Sequence, residues 1–293
     1  MTVVSVVIPS FRGGKYLREA VASVQAQTLT DWELIIVLDG CDDDLSDIEK
    51  ADQRVRVIRQ RNRGASIARN VGVSHARSEF VALLDDDDLM LPERLQAQVD
   101  AMSDKSIGIC HTQYRYIDQN GTVTGAGVSK EYTYRDFLRG DGKIHAGTAM
   151  FRKDLFQAVG GYNPLLTFGE DLDLFYRMAR ESTVCFVPEI LFEYRQHGSN
   201  LWLNTNLGSD GFKITLAQHL VAAKVHGETE NVKAVRRGLL LIPSDRVAKV
   251  MVHAHEARLR HDRVGLFIAL SHAFFLSPRF TTRAVLRGIS KPG

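Results

Sequence analysis

Cysteine is scarce in this chain of 293 residues. Cys41, Cys110 and Cys185 are far apart and odd in number, and none of them belongs to a closely spaced pair of the kind that binds zinc. We therefore expect neither a disulfide framework nor a zinc site. Such cysteine usage is typical of a reducing compartment, and it predicts a cytoplasmic protein.

Long apolar runs and a strong net charge are also missing. The longest apolar stretch, residues 266–276, is interrupted by Ser271 and His272 and is too short to cross a bilayer. The chain starts with a strand-like segment instead of a basic and then apolar leader, so no signal peptide is expected. A formal net charge of +2 gives no overall attraction to nucleic acid.

The first hundred residues alternate between two patterns. Short continuous apolar runs predict buried strands, and apolar residues spaced by three and four predict helices. The predicted strands are 3–8, 33–38, 55–59 and 80–84, and the predicted helices are 16–27 and 66–75, followed by one that Pro92 opens as its first residue. Such an alternation predicts an α/β fold with a mostly parallel sheet.

The pattern changes after residue 107. A strand over 107–117 is followed by Asn120-Gly121, which is a hairpin signal. Further strands are predicted at 149–152, 184–187 and 192–196, and helices at 154–159 and 172–180. From about residue 209 onward the pattern is helical.

Four consecutive aspartates, 85–88, directly follow the apolar run 80–84. They should lie at the carboxyl end of a buried strand, which is where open α/β sheets bind ligands. Carboxylates this close repel one another, and a divalent cation relieves the repulsion. Oxygen ligands suit Mg²⁺ or Mn²⁺. Within the run, we expect Asp88 to cap the following turn.

Several motifs occur in a fixed order along residues 3–200. They lie at 5–11, 16–28, 31–40, 64–72, 80–95, 160–162, 168–174 and 194–199. Together they resemble the family 2 glycosyltransferases, which have the GT-A fold. The resemblance implies a catalytic domain over 1–205, with a nucleotide-binding half (1–105) and an acceptor half (106–205). Residues 206–293 would form a helical C-terminal region.

The resemblance also implies roles for residues in the nucleotide-binding half. Asp39 would bind the base or ribose of the nucleotide, and Arg63 would place a cation beside it. The first loop, formed by Pro9, Ser10 and Phe11, would pack against the base.

Further roles follow for the acidic motifs. Asp87 would bind the metal, either Mn²⁺ or Mg²⁺, and His197 would complete that site. Asp85 would contact the ribose or the sugar, or the metal through water, and Asp86 would belong to the same nucleotide- and sugar-binding set. Asp171 would be the general base, with Glu170 beside it as a contact of the acceptor or the sugar.

The resemblance therefore predicts a metal-dependent, inverting glycosyltransferase, which uses a nucleoside-diphosphate sugar and a glycan or lipid-linked acceptor. Three alternatives stay open: a nucleotidyltransferase, for which Arg12-Gly13-Gly14-Lys15 offers a short glycine loop, a receiver module with Mg²⁺, and a non-catalytic sugar-nucleotide-binding protein.

The basic, partly apolar stretch 258–291 has two interpretations. It either packs on the catalytic domain or in a homodimer, or it contacts the inner face of the cell membrane peripherally.

Overall fold

A computed structural model describes residues 2–11, 13–166, 168–198 and 210–240. The chain divides into two compact units, residues 1–197 and 198–293. The basic stretch 258–291 lies outside the described residues.

The first unit contains a sheet and the helices that cover it. Its strands are β1 (Val4–Ser10), β2 (Trp32–Asp39), β3 (Val55–Gln60), β4 (Phe80–Leu83), β5 (Leu89–Met90), β6 (Ile107–Ile117), β7 (Val123–Ala126), β8 (Ala149–Arg152) and β9 (Thr183–Arg195). Its helices are α1 (Lys15–Gln25), α2 (Ser46–Ala51), α3 (Ala65–His75), α4 (Arg94–Ala101), α5 (Tyr134–Leu138), α6 (Lys153–Ala158) and α7 (Glu170–Glu181).

The strand order is β3-β2-β1-β4-β8-β6-β9-β5, with β7 paired to β6. Strands β3, β2, β1 and β4 are parallel, as the alternating pattern predicts. Strand β8 runs antiparallel between β4 and β6, and β9 is parallel to β6. The carboxyl ends of β1, β2 and β4 therefore share one edge of the sheet, where the first loop, Asp39 and the aspartate run lie.

Apolar residues on both faces of the sheet form the core. Strand β2 is buried along its whole length, and α1 packs its buried face of Leu17, Ala20, Val21 and Val24 toward the same core. Helix α3 lies so close to β1 that a Cβ on Gly72 would come within 2.3 Å of Val7 Cγ1. Glycine at this position lets α3 approach the sheet, and this places its side chains beside the aspartate run.

Two local predictions were wrong. Pro92 does not open α4, which begins at Arg94, because the Pro92 carbonyl accepts a hydrogen bond from the Thr28 N–H at 2.9 Å. The strands predicted at 184–187 and 192–196 are one strand, β9. Its register against β6 shifts at Pro188 and Glu189, so that the pairing continues beyond them. The short elements α2 and β5 carry no pattern that predicts them. Helix α5 was missed, although Thr133 and Asp136 form a capping box at its start.

The second unit is described over residues 210–240. It contains α8 (Asp210–Val225) and α9 (Thr229–Leu239), which pack against each other. Helical structure over this part of the chain agrees with the prediction. Among the described residues, no helix is both long enough and apolar enough to cross a membrane.

Candidate active site

The aspartate run forms the loop between β4 and β5, and Arg195 at the end of β9 holds it in place. The Arg195 backbone N–H donates to Asp88 Oδ1 at 2.8 Å, and its Nε donates to the Asp87 carbonyl at 2.8 Å. Its guanidinium also pairs with Glu19 of α1 at 2.7 Å. Asp88 therefore binds β9 instead of capping the following turn, so that prediction was wrong. The consequence is a fixed distance between the loop and the end of β9.

Asp87 and His197 are brought together by this arrangement, because His197 follows Arg195 by two residues. Asp87 Oδ2 lies 2.9 Å from His197 Nε2, and the two side chains are 25% and 12% exposed. The imidazole also stacks on Tyr16 of α1, with ring centroids 5.5 Å apart. A carboxylate oxygen and an imidazole nitrogen this close together are a pair of ligands that suits Mn²⁺. Across the described residues, no three His, Cys, Asp or Glu side chains converge as metal ligands.

Arg69 of α3 lies at the centre of the acidic side chains. Its guanidinium is 2.7 Å from Asp85, 3.3 Å from Glu170 and 3.5 Å from Asp171, and its side chain is only 7% exposed. One buried cation therefore faces three carboxylates, which come from the loop after β4 and the first turn of α7. It links the strand end that holds Asp87 to the helix end that holds the predicted base.

Asp171 has the environment of a base that titrates near neutral pH. Burial raises the pKa of this carboxyl to about 7, and repulsion by Glu170 and Asp85 adds to the effect, while Arg69 opposes it. The side chain remains 26% exposed, so an acceptor could reach it. A carboxyl with such a pKa can take up a proton at physiological pH.

Asp39 contacts protein instead of standing open at the strand end. Its carboxylate accepts hydrogen bonds from Gln60 Nε2 at 2.7 Å and from the backbone N–H groups of Arg63 and Gly64, both at 2.8 Å. Asp39 thereby shapes the turn that starts α3. Arg63 contacts Asp39 only through its backbone N–H, and its side chain is exposed.

The first loop is joined to the aspartate run through Ser10. The Ser10 hydroxyl donates to Asp86 Oδ2 at 2.5 Å and accepts from the Gly13 N–H at 3.1 Å. Pro9 is half-buried, and Phe11 is 53% exposed beside this contact. Burial raises the pKa of Asp86 to about 7, and Asp87 and Asp85 reinforce the increase. Asp86 therefore connects the two loops, and its carboxyl is about half protonated near pH 7.

This pKa makes the stability contribution of Asp86 depend on pH. The pKa of an aspartate in an unfolded chain is about 3.9. The pKa of Asp86 is higher in the folded state, so the folded state binds the proton more tightly. The stabilisation is complete below about pH 4 and is lost as the pH rises through 7. The Asp86→Asn variant cannot ionise at this position. We therefore expect its melting temperature minus that of the wild type to be larger at pH 8 than at pH 5.

Differential scanning fluorimetry with a chelator present measures this difference, since a metal at Asp87 would obscure it. Glu189→Gln, at an exposed bulge of β9, is the matched control and should show the same difference at both pH values. A pH-independent difference for Asp86→Asn would contradict the raised pKa.

The two glycines of the short loop have no backbone N–H left for a phosphate. The Gly13 N–H is taken by Ser10, and the Gly14 N–H donates to Asp43 Oδ2 at 2.6 Å. Both donors that a nucleotidyltransferase would aim at a triphosphate are therefore occupied by the protein's own side chains.

The arrangement contains residues that the motif analysis did not single out. Arg69, Tyr162 and Arg195 hold the acidic groups in place, although Arg195 lies 107 residues from Asp88 and 108 from Asp87 in the sequence. Arg69 was detectable in part, because it falls inside the motif at 64–72. Tyr162 and Arg195 likewise fall inside the motifs at 160–162 and 194–199, but nothing in the sequence indicates their partners.

Known proteins resemble this chain in both fold and sequence. The crystal structure of S. aureus TarS 1–349 in complex with UDP-GlcNAc superposes with a TM-score of 0.67 at 16% identity, which covers 86% of this chain and 80% of that one. The likeness shows the GT-A fold, as predicted. Residues 5–160, more than half of the chain, match the model of glycosyl transferase family 2. The chain belongs to this family.

Two relatives add detail. A glycosyltransferase of Rickettsia felis is 29% identical over 222 residues, which cover 72% of this chain and 36% of that protein. The Escherichia coli UDP-Glc:alpha-D-GlcNAc-diphosphoundecaprenol beta-1,3-glucosyltransferase WfgD is 30% identical over 146 residues, or 47% of this chain and 56% of that enzyme. The chain thus matches about a third of the first relative's length and about half of the second's.

Proposed function

We propose that this protein transfers a sugar from a nucleoside-diphosphate sugar to a hydroxyl group of a glycan or lipid-linked acceptor, with inversion at the anomeric carbon. One arrangement carries the proposal. Asp87 and His197 form a pair of ligands suited to a metal. They are linked to Asp171, a carboxyl of raised pKa, through Asp85 and the buried guanidinium of Arg69. The membership in family 2 supports it.

The nucleotide would lie along the shared strand edge. Ser10 and Asp39 are the last residues of β1 and β2 there, and Phe11 follows Ser10. The Asp39 carboxylate accepts from the backbone N–H groups of Arg63 and Gly64. UDP-linked sugars are the first donors to test, since TarS was crystallised with UDP-GlcNAc and WfgD is named for UDP-Glc. The lipid diphosphate in the name of WfgD likewise favours a lipid-linked acceptor here.

Asp87 and His197 would hold a divalent cation. Such a cation neutralises the charge that develops on the leaving diphosphate.

Asp171 would act on the acceptor. Its carboxylate takes the proton of the acceptor hydroxyl as the oxygen forms a bond to the anomeric carbon, and the bond from that carbon to the diphosphate breaks with its electron pair. Attack from the face opposite the diphosphate inverts the configuration in a single displacement.

The direct test is release of nucleoside diphosphate from a panel of UDP-, GDP- and dTDP-sugars with MnCl₂. We expect release from one donor class, enhanced by an oligosaccharide or polyprenyl-diphosphate sugar acceptor. Binding of a donor without any release across the panel would overturn the proposal in favour of a non-catalytic sugar-nucleotide-binding protein.

The metal assignment makes a separate prediction. Asp87→Asn should weaken the Mn²⁺-dependent binding of UDP by at least about 10–100-fold, the loss usual even for residues that only support a metal ligand. Isothermal calorimetry with UDP, in MnCl₂ and in EDTA, measures it. His197→Ala should show the same loss, while Asp42→Asn, an exposed acid, should not. If Asp87→Asn keeps the full effect of Mn²⁺, the metal lies elsewhere.

A further inference from the structure

A tight turn before α7 presents Tyr162 to the acidic side chains. Gly160 and Gly161 have φ values of +83° and +66°, which other residues rarely adopt. A Cβ on Gly161 would lie 2.8 Å from Asn70 Oδ1 and 3.0 Å from the ring of Phe156. The turn is therefore packed directly onto α3 and α6, and only glycine fits there.

Asn70 of α3 then fixes the backbone of Tyr162 on both sides. Asn70 Nδ2 donates to the Tyr162 carbonyl at 2.9 Å, and the Tyr162 N–H donates to Asn70 Oδ1 at 2.9 Å. The tyrosine is 1% exposed, and the Arg69 guanidinium lies 5.5 Å from its ring centroid. The position of this side chain is thus set by its surroundings, independently of any substrate.

The Tyr162 hydroxyl donates to Asp171 Oδ1 at 2.8 Å. Arg69 also lies nearest to this oxygen, at 3.5 Å. Within the described part of the chain, no hydrogen bond is made by the second oxygen, Asp171 Oδ2. Burial raises the pKa of Tyr162 well above that of an ordinary tyrosine, and the negative charge of Asp171 adds to this, so the phenol remains a donor.

We propose that Tyr162 is a positioning residue, which holds Oδ1 of Asp171 so that Oδ2 is left to receive the proton of the acceptor hydroxyl. This inference rests on the proposed function, in which Asp171 is the base. The phenol keeps its own proton throughout. Its contribution is to fix the orientation of the carboxylate and to favour the charged form that can accept a proton.

The first test needs no substrate. A hydrogen bond to the charged carboxylate lowers its pKa, so Tyr162→Phe should raise the pKa of Asp171 by about one unit. Titration of the protein with ¹³C-labelled aspartate by NMR measures this, and the signal missing in Asp171→Asn assigns the resonance. Tyr116→Phe removes a hydroxyl that pairs with Tyr114 instead, and should leave the titration unchanged.

Asn70→Ala provides a second route to the same effect, should Tyr162→Phe fold poorly. It loosens the backbone of Tyr162 while retaining the phenol, and should raise the pKa of Asp171 by a smaller amount. Unchanged titration in both folded variants would overturn the inference.

Kinetics separates this inference from the proposed function. In Tyr162→Phe, kcat should fall about tenfold with KM for the donor unchanged, and the acidic limb of the pH profile should move to higher pH. If Asp171→Asn is inactive but Tyr162→Phe has a wild-type profile, only the role of Tyr162 is wrong. If Asp171→Asn is fully active, the base itself is misassigned.

Discussion

Asp171→Asn should lower the turnover number by about 10²–10⁴-fold, the usual contribution of one acid–base group. The amide keeps the size of the carboxylate but cannot take the proton of the acceptor hydroxyl. Donor affinity should change little, since Asp87 and His197 are unaltered and Asp171 belongs to a different element. Steady-state kinetics on the donor found in the panel, together with calorimetry for UDP, separates the two effects.

The pH profile adds a second readout for the same residue. Because the pKa of Asp171 is raised to about 7, kcat/KM of the wild type should fall below that pH as the carboxyl becomes protonated. The residual activity of Asp171→Asn should lack this acidic limb. Glu181→Gln, which is exposed at the other end of α7, is the matched control and should retain both the rate and the limb. An acidic limb that persists in Asp171→Asn would assign it to another group, with Glu170 the next candidate.

The sequence predicts those parts of the fold in which local pattern and environment agree. Strands β1, β2 and β4 are buried on both faces, so their continuous apolar runs are unambiguous, and the aspartates that follow β4 had to lie at the strand end. Helix α4 shows the opposite case. Pro92 is a strong local signal for a helix start, but hydrogen bonds from Gln27 and Thr28 to the carbonyls of Leu91 and Pro92 delay it.

In the candidate site, too, local motifs were predictable from the sequence, whereas contacts between distant residues were not. Asp87 and His197 were assigned by resemblance, and their proximity depends on contacts between distant parts of the chain, above all the hydrogen bond from Arg195 to Asp88. No pattern in the sequence predicts that one arginine of α3 faces three carboxylates. Such contacts depend on how the elements pack, and a single sequence carries no signal for them. The contacts of Asp39 were not predictable either, because its carboxylate accepts from backbone N–H groups of the turn at Arg63 and Gly64, which lies far from it in the sequence.

Arg69→Met should be the most destabilising of the substitutions considered, with a free energy of unfolding lowered by about 3–5 kcal/mol at pH 8. Methionine fills much of the same volume, so lost packing is a minor part of the effect. The larger part is electrostatic, because Asp85, Glu170 and Asp171 would remain together, largely buried, without their shared cation. Urea denaturation at pH 8 and at pH 5.5 measures the loss.

The pH dependence distinguishes this cause from a packing defect. Without Arg69 the pKa of Asp171 should rise further from its value of about 7, and the carboxyl would be neutral at pH 5.5. The loss of stability should therefore be smaller at pH 5.5 than at pH 8, whereas a cavity would cost the same at both. Arg18→Met breaks an ion pair with Asp47 on the surface, where such pairs contribute little, and should change neither value appreciably. Equal losses for Arg69→Met at the two pH values would mean that packing, and not charge, is what Arg69 supplies.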